Sequence, residues 1–237
     1  MVDGCGHLDR RSLLGIAGTV ALGAVADPAG VARQVLANAA EPLQPKPVAA
    51  IVTAYEKILH ADVLVTKVVA GWGQDGGPGP ALNLASLYVD QFGPKDLARP
   101  IAKKYGVPIF DSIEGALTLG GKRIAVDGVI SIGEHGNYPV NEKGQQLYPR
   151  RRFFDGIADA FEKHGRVVPV FSDKHLGPEW RDASAIYRRA QKMKIPMMAG
   201  SSLPVTFRRP SRTIPMGAEI EAVVGVGYGD LDRYGSH

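Results

Sequence analysis

Two short runs concentrate the side chains able to move protons. Ser172-Asp173-Lys174-His175 puts a hydroxyl, a carboxylate, an amine and an imidazole in successive positions. Gly133-Glu134-His135-Gly136-Asn137-Tyr138 sets a carboxylate, an imidazole and a phenol around two glycines. Such groups polarise a substrate hydroxyl or carry its proton, and a lysine does so when burial or a nearby cation lowers its pKa. The plainer alternative for Lys174 is an ion pair with Asp173, and for His135 and His175 a structural hydrogen bond. His135 and His175 are also metal-ligand types, but beyond residue 39 there is no H-x-H or HExxH pair, so spacing names no metal site and none is expected. His60 reads as a structural residue of the first helical segment, and His164 as a helix-terminal residue favoured by the dipole.

Other polar groups stand at comparable places. Thr53, Tyr55 and Lys57 follow one apolar run and Asp90 ends another. Arg150-Arg151-Arg152 opens a helical pattern, where positive charge opposes the helix dipole. Such a local conflict marks either an anion-docking site or a solvated edge with a contact such as Glu142. Arg208-Arg209 and Arg212 form a second basic cluster.

The elements that must position these groups alternate. Strands are expected at 48–53, 82–89, 107–110, 128–132, 167–171, 195–199 and 220–226. Several are continuous apolar runs, as in strands covered on both faces. Helices are expected at 151–163, with Phe154, Ile157, Ala158 and Phe161 on one face, and at 179–192, with Ile186, Tyr187 and Ala190 together. A third is expected at 94–105, where Pro100 forces a kink or a late start. Val107-Pro108, Val168-Pro169 and Ile195-Pro196 each follow a helix with lysine near its end, so one helix-to-strand junction recurs three times. Residues 71–80 read as a loop. This pattern predicts an α/β, doubly wound, mainly parallel sheet with right-handed crossovers. Ligands of such a sheet bind beyond the carboxyl ends of the strands, which is where the polar runs fall.

Composition bounds the function classes. The chain has 237 residues, 45% hydrophobic and 22% charged, which is ordinary for a globular protein. One cysteine excludes a disulfide framework and a cysteine-based zinc site. A net charge of +4, not clustered into a stripe, gives no argument for a nucleic-acid partner. The N-terminus reads as an export signal: Arg10-Arg11, an apolar run from Leu13 to Val25, then Ala37-Asn38-Ala39 as a cleavage candidate. The arginine pair and modest hydrophobicity favour the twin-arginine route, making the export machinery a partner and the location periplasmic or secreted. The apolar run is too short for a stable membrane span. Arg10, Arg11 and Arg33 balance Asp3, Asp9 and Asp27, so losing this segment leaves net charge unchanged. The expected organisation is a signal at 1–39, a linker at 40–46, a Rossmann-like domain at 47–210, and a last strand with the start of a truncated second domain at 211–237.

From residue 47 to 210 the order resembles the glucose–fructose oxidoreductase / inositol dehydrogenase (Gfo/Idh/MocA) family. The helix before Val107-Pro108-Ile109-Phe110, the short helix after it and Val126-Asp127-Gly128-Val129-Ile130-Ser131-Ile132 look like that family's helix, strand, helix and fourth strand. Phe171-Ser172-Asp173-Lys174-His175-Leu176 looks like its strand ending in Glu-Lys-Pro, with Asp173 for Glu and His175 for Pro. The resemblance implies hydride exchange between NAD or NADP and a sugar or polyol. It implies that Lys174, with His175 and Asp173, handles the hydroxyl proton. It places Asp90 at the cofactor ribose, and Gly133, Glu134 and His135 beside the nicotinamide. Thr53 and Tyr55 fall in the phosphate turn, and Arg208 with Tyr138 at the substrate. Thr53, Tyr55 and Ile58 stand where the family has glycines, and the Tyr55 side chain is expected to obstruct the phosphate approach. The family's second domain completes the substrate pocket and dimer interface, so a homo-oligomer is a further expectation. A non-catalytic exported binding protein that has lost dinucleotide affinity is the alternative reading.

Overall fold

The protein is described from a computed structural model, which covers residues 44–201, 214–215 and 217–224. Among the described residues six strands form one sheet, β1 (Lys46–Val52), β2 (Leu82–Val89), β3 (Ile109–Phe110), β4 (Gly128–Ile132), β5 (Val170–Asp173) and β6 (Met197–Gly200), and five helices alternate with them, α1 (His60–Ala70), α2 (Ala98–Tyr105), α3 (Ile113–Thr118), α4 (Arg150–His164) and α5 (Trp180–Lys192). The strand order is β3-β2-β1-β4-β5-β6, and every neighbouring pair is parallel. This is the Rossmann-like doubly wound sheet, with its order reversing between β1 and β4.

Strand alternation sorts the core into two layers. Val48, Ala50 and Val52 of β1 point to one face, where Ala61 and Val65 of α1 and Ala98 and Ala102 of α2 cover them. Ala49 and Ile51 point to the other face, under Leu117 of α3, Phe153, Ile157 and Phe161 of α4, and Ile186 of α5. Both faces of β1 and β4 are buried, which explains their unbroken apolar runs. Each fully buried isoleucine or phenylalanine contributes about 1.5–3 kcal/mol over its exposed state.

The expected strands at 82–89 and 128–132 have the bounds of β2 and β4. The three proline-marked strands start later than expected, at Ile109, Val170 and Met197, each just past its proline. Pro108, Pro169 and Pro196 lack the N–H that the ladder needs, and serve it through their carbonyls instead: Leu87, Val129 and Val170 donate to them. α2 starts late, at Ala98, so that Pro100 lies in its first turn, where a missing donor costs little. Residues 220–224 carry no regular element, in contrast to the strand expected at 220–226, whose last two residues lie outside the described ones. The signal segment and Arg208 also lie outside them. Among the described residues no helix is long and apolar enough to cross a membrane.

Candidate functional site

The ladder extends past the carboxyl ends of the strands and ties their tips together. Thr53 N donates to Ile132 O at 3.1 Å, Asp90 N to Val52 O at 2.9 Å and Lys174 N to Gly200 O at 2.6 Å. The buried Thr53 hydroxyl also donates to Glu134 O. Gln91 then clamps the loop after β4: its Nε2 donates to Asn137 O at 3.0 Å while its Oε1 accepts from Asn137 N at 2.8 Å. Gly136, at φ +98°, is required here, since a Cβ would come within 2.8 Å of the Tyr138 ring and 3.0 Å of Gln91 Oε1. Gly133 lets the start of α4 close on the tip of β4, because a Cβ there would lie 2.8 Å from Arg150 Cγ and 3.3 Å from its Cα.

That close approach builds a buried charge cluster. Arg150 Nη2 donates to Glu134 Oε2 at 3.2 Å, with side-chain exposures of 3% and 0%. Asp173, at the end of β5, is fully buried, and its Oδ2 lies 2.5 Å from His60 Nδ1. The same His60 nitrogen is 3.4 Å from Glu134 Oε2. Two carboxylates thus face one guanidinium and one imidazole. Burial pushes the Arg150 pKa down, while Glu134 and Asp173 resist that shift. Asp173 Oδ1 and two of the Arg150 nitrogens, Nε and Nη1, have no hydrogen-bond partner among the described residues.

A cavity of about 950 Å³ opens beside this cluster, lined by His60, His135, Lys174, His175 and Ser201. Ile58, His135 and Lys174 line it with φ of 71°, 68° and 69°, in the left-handed region that non-glycine residues avoid. Such strain persists where the surrounding structure holds it, and it concentrates at sites that bind or react. The Lys174 ammonium reaches Ser201 Oγ at 3.5 Å, the outer limit of a hydrogen bond. Lys174 does not pair with Asp173, whose partner is His60. The His60 and His135 rings meet edge to face at 4.9 Å.

A second polar group forms beyond β2. Asp90 accepts from Tyr88 at 2.6 Å, from Tyr138 at 2.7 Å and from Arg152 at 2.6 Å. Burial alone would raise its pKa, but bonds from Arg152, Tyr88 and Tyr138 outweigh it and hold the carboxyl below the usual range. The charge conflict at the start of α4 is therefore met residue by residue. Arg150 turns to Glu134, Arg151 to Asp155 and Asp182, and Arg152 to Asp90. None of these is the contact with Glu142 that the sequence suggested.

The turn between β1 and α1 is closed by its own side chains. Asp62, in the first turn of α1, accepts from Ile58 N at 2.9 Å and from Thr66 Oγ1 at 2.8 Å, and pairs with Lys57 at 3.3 Å. Tyr55 points inward instead of obstructing the turn: it is 1% exposed, its hydroxyl is 2.7 Å from Thr66 Oγ1, and burial drives its pKa well up.

The sequence-selected residues thus share one edge of the sheet but separate into groups. Lys174, His175 and His135 line the cavity, with Asp173 and Glu134 buried behind it. Asp90 and Tyr138 bond to each other, Thr53 and Tyr55 are buried in the β1–α1 turn, and Gly133 packs on α4. His60 corrects the sequence reading most: the first residue of α1 sits in the site, held by a carboxylate 113 positions away. No spacing signal could have found that pair. Arg150 had a signal in the misplaced charge at the helix start.

No family model matches the chain. No curated protein matches it either. Among solved structures it is similar to GenD2 of gentamicin A biosynthesis, solved in complex with NAD, at 13% identity and a TM-score of 0.44, over 68% of this chain and 36% of that one. It is also similar to an NAD-binding oxidoreductase from Klebsiella pneumoniae, at 13% identity and 0.40, over 65% and 34%. A third is the transcriptional regulator Gal80p from Kluyveromyces lactis, at 12% and 0.42, over 66% and 33%. The chain spans about a third of the length of these structures.

Proposed function

We propose that this chain is an exported, NAD(P)-linked, oxidoreductase-like protein of the Gfo/Idh/MocA type, taking a sugar or polyol in the cavity beyond β1, β4 and β5. The observation that carries the reading is the position of that cavity, which runs along the carboxyl edge from the reversal of strand order past β5 to the tip of β6, the edge where doubly wound sheets take ligands. Its walls suit a hydroxylated substrate. His135 and Lys174 offer donors, Ser201 a hydroxyl, and Leu176 an apolar contact.

The fit of a dinucleotide differs between its two ends. The cavity end has the room and the polar groups that a nicotinamide and a substrate need together. At the diphosphate end, the Ile58 N–H is taken by Asp62, and Lys57, 69% exposed, is the cation on offer. The dinucleotide would supply hydride exchange, as it does throughout this class of enzymes. The protein's own part is to hold the substrate hydroxyl against Lys174 and to move its proton through Lys174 or His175, with Asp173 as a positioning residue through His60.

Asp62 favours a second reading, a binding protein on the same scaffold with no dinucleotide. A carboxylate at the start of α1 opposes a phosphate there. Fluorescence titration of the full chain with NADH and NADPH separates the two. Saturable binding, weakened by Lys174→Ala, is expected. No binding up to millimolar dinucleotide, with polyols still raising the melting temperature, would establish the second reading in its place.

A further inference from the structure

His60, Glu134 and His135 bring one ligand atom each to within 4.8 Å of one another, at the inner wall of the cavity. They come from two elements, the start of α1 and the loop after β4, so the cluster is a product of the fold. We infer that these three residues bind a divalent transition-metal ion of the zinc type, with the cavity side of the ion open to water or substrate. The inference goes beyond the reading above and holds whether or not a dinucleotide binds.

Two imidazole nitrogens and one carboxylate are a donor set for zinc, iron or manganese, and are too nitrogen-rich for magnesium or calcium. Bonds of about 2.1 Å set ligand atoms roughly 3.4 Å apart around a tetrahedral ion, so the atoms now within 4.8 Å must close by up to about 1.4 Å. His135, half-buried on a loop, is the ligand with room to move.

The buried Asp173 supplies the independent observation. Its Oδ2 lies 2.5 Å from His60 Nδ1; in the Nδ1-protonated tautomer it accepts that ring proton, and Nε2 is then the ligand nitrogen of the proposal. A carboxylate behind a ligating histidine fixes its tautomer and raises its basicity. The other Asp173 oxygen, Oδ1, is buried with no hydrogen-bond partner among the described residues.

The test is calorimetric titration of the full, chelator-stripped protein with Zn²⁺, alongside Co²⁺ titration followed by visible d–d absorption. One ion per chain is expected, with a tetrahedral Co²⁺ spectrum. His135→Ala and His60→Ala should abolish the Co²⁺ signal. Asp173→Asn should weaken Zn²⁺ by about ten- to a hundredfold, as loss of a histidine's carboxylate support does. His164→Asn should change nothing, because that histidine bonds Glu114 and Lys122 O instead. Circular dichroism of each variant separates loss of ligand from loss of fold. The inference fails if the folded protein takes no Zn²⁺ at millimolar concentration, or if His135→Ala binds as tightly as the parent. Repeating the titration with NADH present keeps this outcome apart from the dinucleotide reading, since either ligand can be lost while the other still binds.

Discussion

The two halves of the carboxyl edge contrast in how they treat their polar groups. At the β1–α1 turn, Asp62, Thr66, Tyr55 and the Ile58 N–H close a local network. At the tips of β4 and β5, two buried carboxylates, a buried arginine and two strained residues surround a cavity, and polar atoms of Asp173 and Arg150 have no hydrogen-bond partner among the described residues. A satisfied network stabilises the fold. An unsatisfied one costs stability, and a protein that keeps it has a use for it.

The largest break in this contrast should come from Arg150→Ala. It leaves Glu134 charged and buried with its guanidinium gone, and should cost about 3–5 kcal/mol, read as a lower urea midpoint. Gly133→Ala should follow at about 1–3 kcal/mol, because its Cβ presses α4 away from the tip of β4. Hydrogen exchange should then quicken at the start of α4. On the closed side, Asp62→Asn should cost about 1 kcal/mol through weaker bonds to Ile58 and Thr66. The same variant should tighten NADH several-fold, since it removes the charge that opposes a diphosphate at α1. Unchanged NADH affinity would place the dinucleotide path away from that turn.

The smallest effect is a pH dependence at Asp90. Its folded pKa lies below the unfolded one, so the unfolded state binds the proton first. Its contribution is therefore complete above the ordinary carboxylate value of about 3.9 and fades as pH falls below that toward the lower folded value. The melting temperature of Asp90→Asn should accordingly converge on that of the parent in acid and fall below it near neutrality.

Much of the scaffold was legible in the residues. Apolar runs bounded by glycine or proline mark β2 and β4, and the three proline junctions mark β3, β5 and β6 within two or three positions. Pro100 announces the late start of α2. The site was legible in part. Glu134, His135, Asp173 and Lys174 stand at strand ends, and any parallel sheet gathers strand ends on one edge. His60 was not legible, because its role depends on how α1 is aimed across the sheet, and Tyr55 was misjudged because its side chain could turn inward to Thr66.

By itself, then, the sequence determined which segments form strands and helices and which polar groups end up at the rim, since periodicity and proline act locally along the chain. Only the tertiary structure decided which of those groups meet. The His60–Asp173 and Glu134–Arg150 pairs arise from the packing of α1 and α4 against β4 and β5, and contacts across such distances in the chain leave no trace in local spacing.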